Sequence, residues 1–209
     1  MDVRLSADRV PFLLHDATLE RTTDGEGPAA EHRWAEIRSL RGAGGGPPPA
    51  LSEALDLAAS LDLGLNLELK PEPGRATALA GAVAAELGSR DSPRVLLSSF
   101  DPEILRAVRP LLPAFPLGIL QERPAGWQEL ARELRVFSLN PAAAAVTPGL
   151  AAEVHAAGLR LLVWTVNEAD LARRLFAWGA DALFTDDPEL PRRVPGPGAA
   201  PPPGAAPHS

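Results

Sequence analysis

The sequence predicts an α/β fold around a parallel sheet: either an open doubly wound sheet, or a (β/α)8 TIM barrel from which something is missing. Three observations predict it. Six short apolar runs alternate with longer amphipathic stretches, the pattern of repeated βαβ units. The 209 residues hold 45% hydrophobic and 22% charged side chains, which suits a folded domain and argues against a disordered chain. Polar residues gather at the C-terminal ends of the apolar runs, the edge where parallel α/β folds build their sites. No G-x-G-x-x-G follows a first strand, which weakens the dinucleotide-binding version of the open sheet.

The elements read in order as follows. Val3–Leu5 and Val10–Leu14 are two extended runs joined by Ser6–Arg9; the link has no room for a helix, so they form a β-hairpin. Strands follow over Leu63–Lys70, Val95–Phe100, Leu117–Gln121, Val136–Asn140, Leu161–Val166 and Ala182–Thr185. Helical patterns lie between them: Ser52 to about Ser60, Ala76–Leu87, Asp101–Val108 with Pro102 in its first turn, and Gly126–Leu134. The fifth helix has Thr147 to cap it, Pro148 in its first turn and Gly158 to end it in a left-handed conformation. The sixth has Asn167 as its cap and Gly179 at its close. Proline (23) and glycine (18) are concentrated in two places. Gly42–Pro49 reads as an internal linker and Pro195–Ser209 as a flexible tail, giving a domain over 1–193 and a disordered tail over 194–209.

Composition excludes several functions. With no cysteine there are no disulfides, thiolate metal sites or cysteine nucleophiles. No run approaches 18 apolar residues, so no membrane span is expected. The first ten residues carry charges where a secretory peptide needs an apolar core, and the expected location is the cytoplasm. A net charge of −7 argues against nucleic acid as a partner. A phosphate ester can still be held by a local metal or cation. Lys70 is the only lysine beside 19 arginines, and the two side chains are not interchangeable.

Leu65–Lys70 carries the most chemistry. Side chains alternate across a strand, so Leu65, Leu67 and Leu69 take one face and Asn66, Glu68 and Lys70 the other. The leucine face meets helices; the polar face points into a barrel or cleft, with carboxylate and ammonium roughly 6–7 Å apart along the strand. Glu68 suits a hard cation and Lys70 a phosphate oxygen. A solvent-facing edge strand with a loose ion pair is an equal reading. His15, beside Asp16 at the end of the hairpin, can trade a proton near neutral pH, although position alone favours a plain turn histidine. His32, His155 and His208 read as structural or solvated.

His15-Asp-Ala-Thr-Leu-Glu-Arg-Thr-Thr-Asp-Gly25 resembles the H-D-x-T-L-x-R-T-T-x-G signature of the glycerophosphodiester phosphodiesterase family. The resemblance continues through Asp2–Asp8, Trp34–Leu40, Pro49–Leu55, Leu67–Lys70, Leu97–Phe100, Trp164–Asn167 and Phe184–Pro188, from Asp2 to about Arg193. It implies a (β/α)8 barrel of the phospholipase-C-like phosphodiesterase type. It also implies hydrolysis of a small-molecule glycerophosphodiester to glycerol 3-phosphate and an alcohol, with a divalent metal, Mg²⁺ or Ca²⁺. On this chain it makes Asp2 and Glu68 metal ligands, Lys70 the phosphate-contacting lysine, His15 one of two catalytic histidines, and Trp164 an aromatic lining the substrate pocket. Related barrels of phosphoinositide-type phospholipases and sphingomyelinase-D-like lyases fit the T-L-x-R-T-T and W-T-V-N blocks less well.

The family pattern begins earlier, with a strand ending in H-R-G, a P-E-N-T helix and the glutamate of E-x-D. None of these stands in the 209 residues. The expectation is a barrel lacking its first strand and helix, and a poorly active chain, with a start codon placed too late as the favoured cause. The alternative is a catalytically dead truncated barrel or a phosphate-binding module.

Overall fold

The structure is a computed structural model, and residues 1–88, 90 and 94–197 are described. It divides into two compact units, Met1–Leu117 and Gly118–Ser209.

The first unit opens on the expected hairpin, β1 (Asp2–Leu5) and β2 (Pro11–Leu13), antiparallel with Val3 opposite Leu13. Its turn is tied by Ser6, which is fully buried. The Ser6 hydroxyl accepts from the Val10 N–H at 2.9 Å and donates to Asp8 Oδ1 at 2.8 Å. Strand β1 runs parallel to β3 (Leu65–Leu69), and β3 parallel to β4 (Val95–Ser99). Leu67 and Leu69 are buried to 1% exposure or less while Glu68 is not, so the strand divides its faces as the alternation requires.

Between β2 and β3 stand α1 (Trp34–Ile37) and α2 (Leu51–Ser60). Helix α2 begins one residue before Ser52, and Ser52 is not its cap. Ala50 takes that position, and Glu53 accepts the Ala50 N–H at 2.8 Å. A small core of Phe12, Leu14, Leu19, Ala29 and Ile37, with Trp34 and Leu40 against it, fixes the long segment after β2. Helix α3 (Ala76–Gly88) follows β3, and α4 (Pro102–Val108) follows β4. Asp101 caps α4 by accepting the Glu103 N–H at 2.7 Å, with Pro102 in the first turn.

The stretch read as a linker, Gly42–Pro49, folds back on itself. The Gly42 N–H donates to Gly46 O and the Ala43 N–H to Thr22 O, both at 2.8 Å. A Cβ on Gly42 would stand 2.6 Å from Gly46 O, so glycine is required there.

From β5 (Leu117–Gln121), whose first residue closes the first unit, the second unit continues strand, helix, strand: α5 (Trp127–Leu134), β6 (Ser138–Pro141), α6 (Pro148–Ala156), β7 (Arg160–Val163), α7 (Ala169–Trp178), β8 (Ala182–Leu183) and α8 (Leu190–Arg193). β5, β6, β7 and β8 pair in that order, all parallel. Thr147 caps α6 through the Leu150 N–H at 3.1 Å, and Gly158 follows it with φ +75°. Gly179 closes α7 in the left-handed region, φ +106°. Asn167 does not cap α7; Glu168 holds the N-cap position, without a side-chain hydrogen bond to the first turn. The Asn167 amide is spent on the segment after β8, accepting from the Asp186 N–H at 2.9 Å and donating to Asp186 Oδ2 at 3.0 Å.

Several strands are shorter than the apolar runs that mark them, because pairing stops before the hydrophobic pattern does. Val194 is buried, its N–H on Leu190 O. The expected tail, with His208, lies outside the described residues from 198 on. Among the described residues, no helix is long and apolar enough to cross a membrane.

Candidate active site

Strand pairing builds the centre of the site. Asp2 on β1 is the direct neighbour of Glu68 on β3, and Lys70 follows Glu68 by two residues on the same face. The Lys70 ammonium lies between the two acids, 3.1 Å from Asp2 Oδ1 and 3.2 Å from Glu68 Oε1. All three side chains are at most 25% exposed. Backbone bonds hold them in register: the Glu68 N–H donates to Met1 O and the Lys70 N–H to Val3 O. Burial pushes the Glu68 carboxyl above its usual range; Lys70 pulls it down and the Asp2 charge pushes it up again.

The serines at the end of β4 are ties, not site groups. Ser98 donates to Asn66 Oδ1 at 3.0 Å, and Ser99 to Leu69 O at 2.7 Å; both are 1% exposed or less.

His15 stands just beyond β2 with its ring 61% exposed. Its Nδ1 meets Asp16 Oδ1 at 2.7 Å. Asp16 also pairs with Arg21, and these two partners hold its carboxyl well below the usual range, Arg21 foremost. The His15 carbonyl accepts from Arg4 Nη2 at 3.0 Å, and Arg4 is fixed by Glu72 at 2.6 Å. Sequence reasoning gave no role to Asp16, Arg21, Arg4 or Glu72. A signal existed for Arg4, which shares the Asp2 face of β1 by strand alternation. A cleft of about 500 Å³ opens here, lined by Asp2, His15, Thr22, Thr23 and the 42–49 loop among others.

Trp164 belongs to the second unit. It is half-buried, and its indole N–H donates to Asn140 O at 2.8 Å. It walls a groove of about 600 Å³ with Leu171, Arg174 and Trp178. Asn140 is itself fully buried and accepts from Ser138 at 2.7 Å. The first unit thus brings Asp2, Glu68 and Lys70 together and sets His15 with Asp2 along one cleft. His32 faces Glu26 and Glu36, and His155 binds Asp181.

Two half-buried carboxylates facing one another are hard oxygen donors of the kind Mg²⁺ and Ca²⁺ take. Among the described residues no three His, Asp or Glu side chains converge on one point. Asp2 and Glu68, with the Lys70 ammonium between them, are the donors this cluster offers a cation.

Asp2, Glu68 and Lys70 thus stand together on two parallel strands, with His15, just past the antiparallel β2, along the same cleft as Asp2. A family model described as the Glycerophosphoryl diester phosphodiesterase family matches residues 1–190. A glycerophosphodiester phosphodiesterase from Caldanaerobacter subterraneus is 30% identical over 203 residues, covering 90% of this chain and 82% of that protein. One from Bacillus subtilis is 28% identical, covering 93% and 75%. A phosphodiesterase from Oleispira antarctica, solved in complex with the product sn-glycerol-3-phosphate, is 32% identical with a TM-score of 0.84, covering 88% of this chain and 79% of that one.

The chain belongs to the glycerophosphoryl diester phosphodiesterase family. Its fold class is the (β/α)8 barrel type of that family, not the open doubly wound sheet, and its enzyme class is phosphodiester hydrolase.

Proposed function

We propose that this chain hydrolyses glycerophosphodiesters to sn-glycerol 3-phosphate and an alcohol with the help of a divalent cation. The observation that carries the reading is the Asp2–Glu68–Lys70 cluster, two carboxylates and the chain's only lysine on neighbouring strands. The product seen in the Oleispira antarctica relative supports the substrate class.

Asp2 and Glu68 would hold the cation, which supplies charge neutralisation to the phosphoryl oxygens. Lys70 already touches both carboxylates and can swing its ammonium onto a phosphoryl oxygen, adding a second positive charge where negative charge grows. Water attacks phosphorus, the bond from phosphorus to the alcohol oxygen breaks, and the alkoxide takes a proton from the His15 imidazolium. The proton lost by the water passes to solvent. Asp16, kept ionised by Arg21, holds the His15 ring by Nδ1 and leaves Nε2 for that transfer. Trp164 would pack its ring on the substrate's carbon atoms.

The test is release of sn-glycerol 3-phosphate by the purified 209-residue chain. We expect weak release, since H-R-G and the glutamate of E-x-D are not among the 209 residues, that needs Mg²⁺ or Ca²⁺, stops with EDTA and falls by 10²-fold or more in His15→Ala, on the usual scale of proton transfer. Release that ignores EDTA or survives both His15→Ala and Glu68→Gln would overturn it.

One observation favours a second reading, retention of the phosphate ester without turnover. Among the described residues, His15 is the only histidine along the cleft. Calorimetric binding of sn-glycerol 3-phosphate, lost in Lys70→Met, together with no diester cleavage would select it.

A further inference from the structure

His15 lies just past the end of the strand that carries it. Pairing of β1 with β2 ends at Leu13, and the Leu14 N–H still reaches Asp2 O at 3.0 Å. At the next residue a guanidinium takes over from the ladder. Arg4 aims two of its donors at the His15 carbonyl, Nη2 at 3.0 Å and Nε at 3.3 Å. Its other branch, Nη1, donates to Glu72 Oε1 at 2.6 Å. The side chains of Arg4 and Glu72 are 11% and 27% exposed. A guanidinium held at both sides of its planar fork, mostly out of water, is a rigid tie in a way a lysine is not.

The tie is itself fastened. Glu72 stands two residues after Lys70, between β3 and α3, and its carbonyl accepts from the Arg75 N–H at 2.8 Å. Arg75 reaches the hairpin turn, donating to Ser6 O at 2.7 Å, and the segment after it, donating to Ala30 O at 3.1 Å. One short loop after Lys70 therefore holds the hairpin at its turn through Arg75 and at its His15 end through Glu72 and Arg4. Neither hold touches the His15 ring, whose own partner is Asp16 at Nδ1.

We infer that Arg4 is a positioning residue: with Glu72 it fixes the His15 peptide so that the ring keeps Nδ1 on Asp16 and Nε2 free for proton transfer. The inference rests on the reading that His15 protonates the leaving alcohol. Arg4 acts on a carbonyl, so its effect is on where the ring stands. A displacement of about 1 Å at a reacting group costs up to ~10²-fold in rate.

The test uses the full chain and two variants. Arg4→Met removes the fork. Arg4→Met/Glu72→Met removes it without leaving a half-buried carboxylate alone. Ring-nitrogen NMR resonances of His15, identified by their loss in His15→Ala, are read in alkaline buffer, where imidazoles are neutral. We expect the Nδ1–H tautomer in the parent and the mixture of an unheld ring in both variants. The resonances of His155, on its separate bond to Asp181, should stay in place. A parent ring already in that mixture, a tautomer unmoved in the double variant, or loss of the fold in both variants overturns the inference, whether or not the chain cleaves diesters.

Turnover gives the second readout. With sn-glycero-3-phosphocholine and Mg²⁺, Arg4→Met should lower kcat about tenfold and leave KM within about twofold. In His15→Ala it should cost nothing further, because it acts through that ring. An equal loss in both backgrounds means that Arg4 serves the fold or touches substrate directly, and the inference fails. Absence of cleavage with the tautomer response intact counts against the hydrolytic reading alone.

Discussion

Glu68 sits under opposed pressures: burial and the Asp2 charge disfavour its ionised form, and Lys70 favours it. Such a carboxylate works against stability in the metal-free chain, because its desolvation is only partly offset. Glu68→Gln should therefore leave the urea midpoint of metal-free protein unchanged or raise it, while abolishing metal-dependent diester cleavage. A clear loss of stability would mean that Glu68 is a structural ion-pair partner and not a group held for a ligand. Lys70→Met acts in the other direction. It leaves two half-buried acids facing each other, so stability should fall by about 1–3 kcal/mol, less than for a fully buried pair, as urea unfolding would show. Asp2, Glu68 and Lys70 were legible in the sequence because strand alternation is a local rule. The support under His15 was not. The Arg4–Glu72 bond joins residues 68 apart in sequence, and no periodicity announces a pair brought together only by β1 pairing with β3.

Helix ends show the same division between local and distant causes. Asp101, Thr147, Gly158 and Gly179 do what their neighbours in sequence require. Asn167 had the right type and place for a cap, yet its amide is taken by Thr185 and Asp186 after β8; a tertiary partner outbid the local one. Gly179→Ala tests the local rule. The substituted residue would have to keep φ +106°, with its Cβ 3.2 Å from the His155 ring. The expected cost is about 1–2 kcal/mol in thermal or urea unfolding, and an unchanged midpoint would show that α7 ends without this conformation. The neighbouring loop carries a pH signature. Burial works to raise the Asp181 pKa, but the Leu161 N–H, Arg160 and His155 together hold it below its usual value. A depressed folded-state pKa stabilises above the unfolded value of about 3.9, and that contribution is lost as pH falls through the folded one. Asp181→Asn should accordingly destabilise near pH 7 by under about 1 kcal/mol, given the solvent around it. The difference from the parent should shrink below pH 4. A gap that is constant with pH would place the effect in packing alone.

At the scale of the whole chain, the remaining question is where the folded unit stops. The family match ends at residue 190, the proline- and glycine-rich composition begins at Pro195, and the structure places the last buried side chains between them. Leu190 is 2% exposed and Val194 6%. Gly196 then lies against Phe176 of α7, with 3.5 Å from its Cβ position to the ring. Beyond it, residues 198–209 are glycine, alanine, proline, histidine and serine, without one large aliphatic or aromatic side chain to bury. We therefore expect a chain ending at Pro197 to unfold at the same urea midpoint and with the same slope as the full chain, because the composition of 198–209 offers no large apolar side chain to lose. A chain ending at Asp187 removes Leu190 and Val194, each worth roughly 1.5–3 kcal/mol of burial. It also uncovers one flank of α7, so its midpoint should fall by several kcal/mol equivalent. Diester cleavage separates the two causes of any loss. If the Pro197 chain keeps its midpoint but loses activity, the tail serves the site; if both persist, the catalytic fold is complete by Pro197; and if its midpoint falls, the boundary drawn from Leu190 and Val194 is wrong.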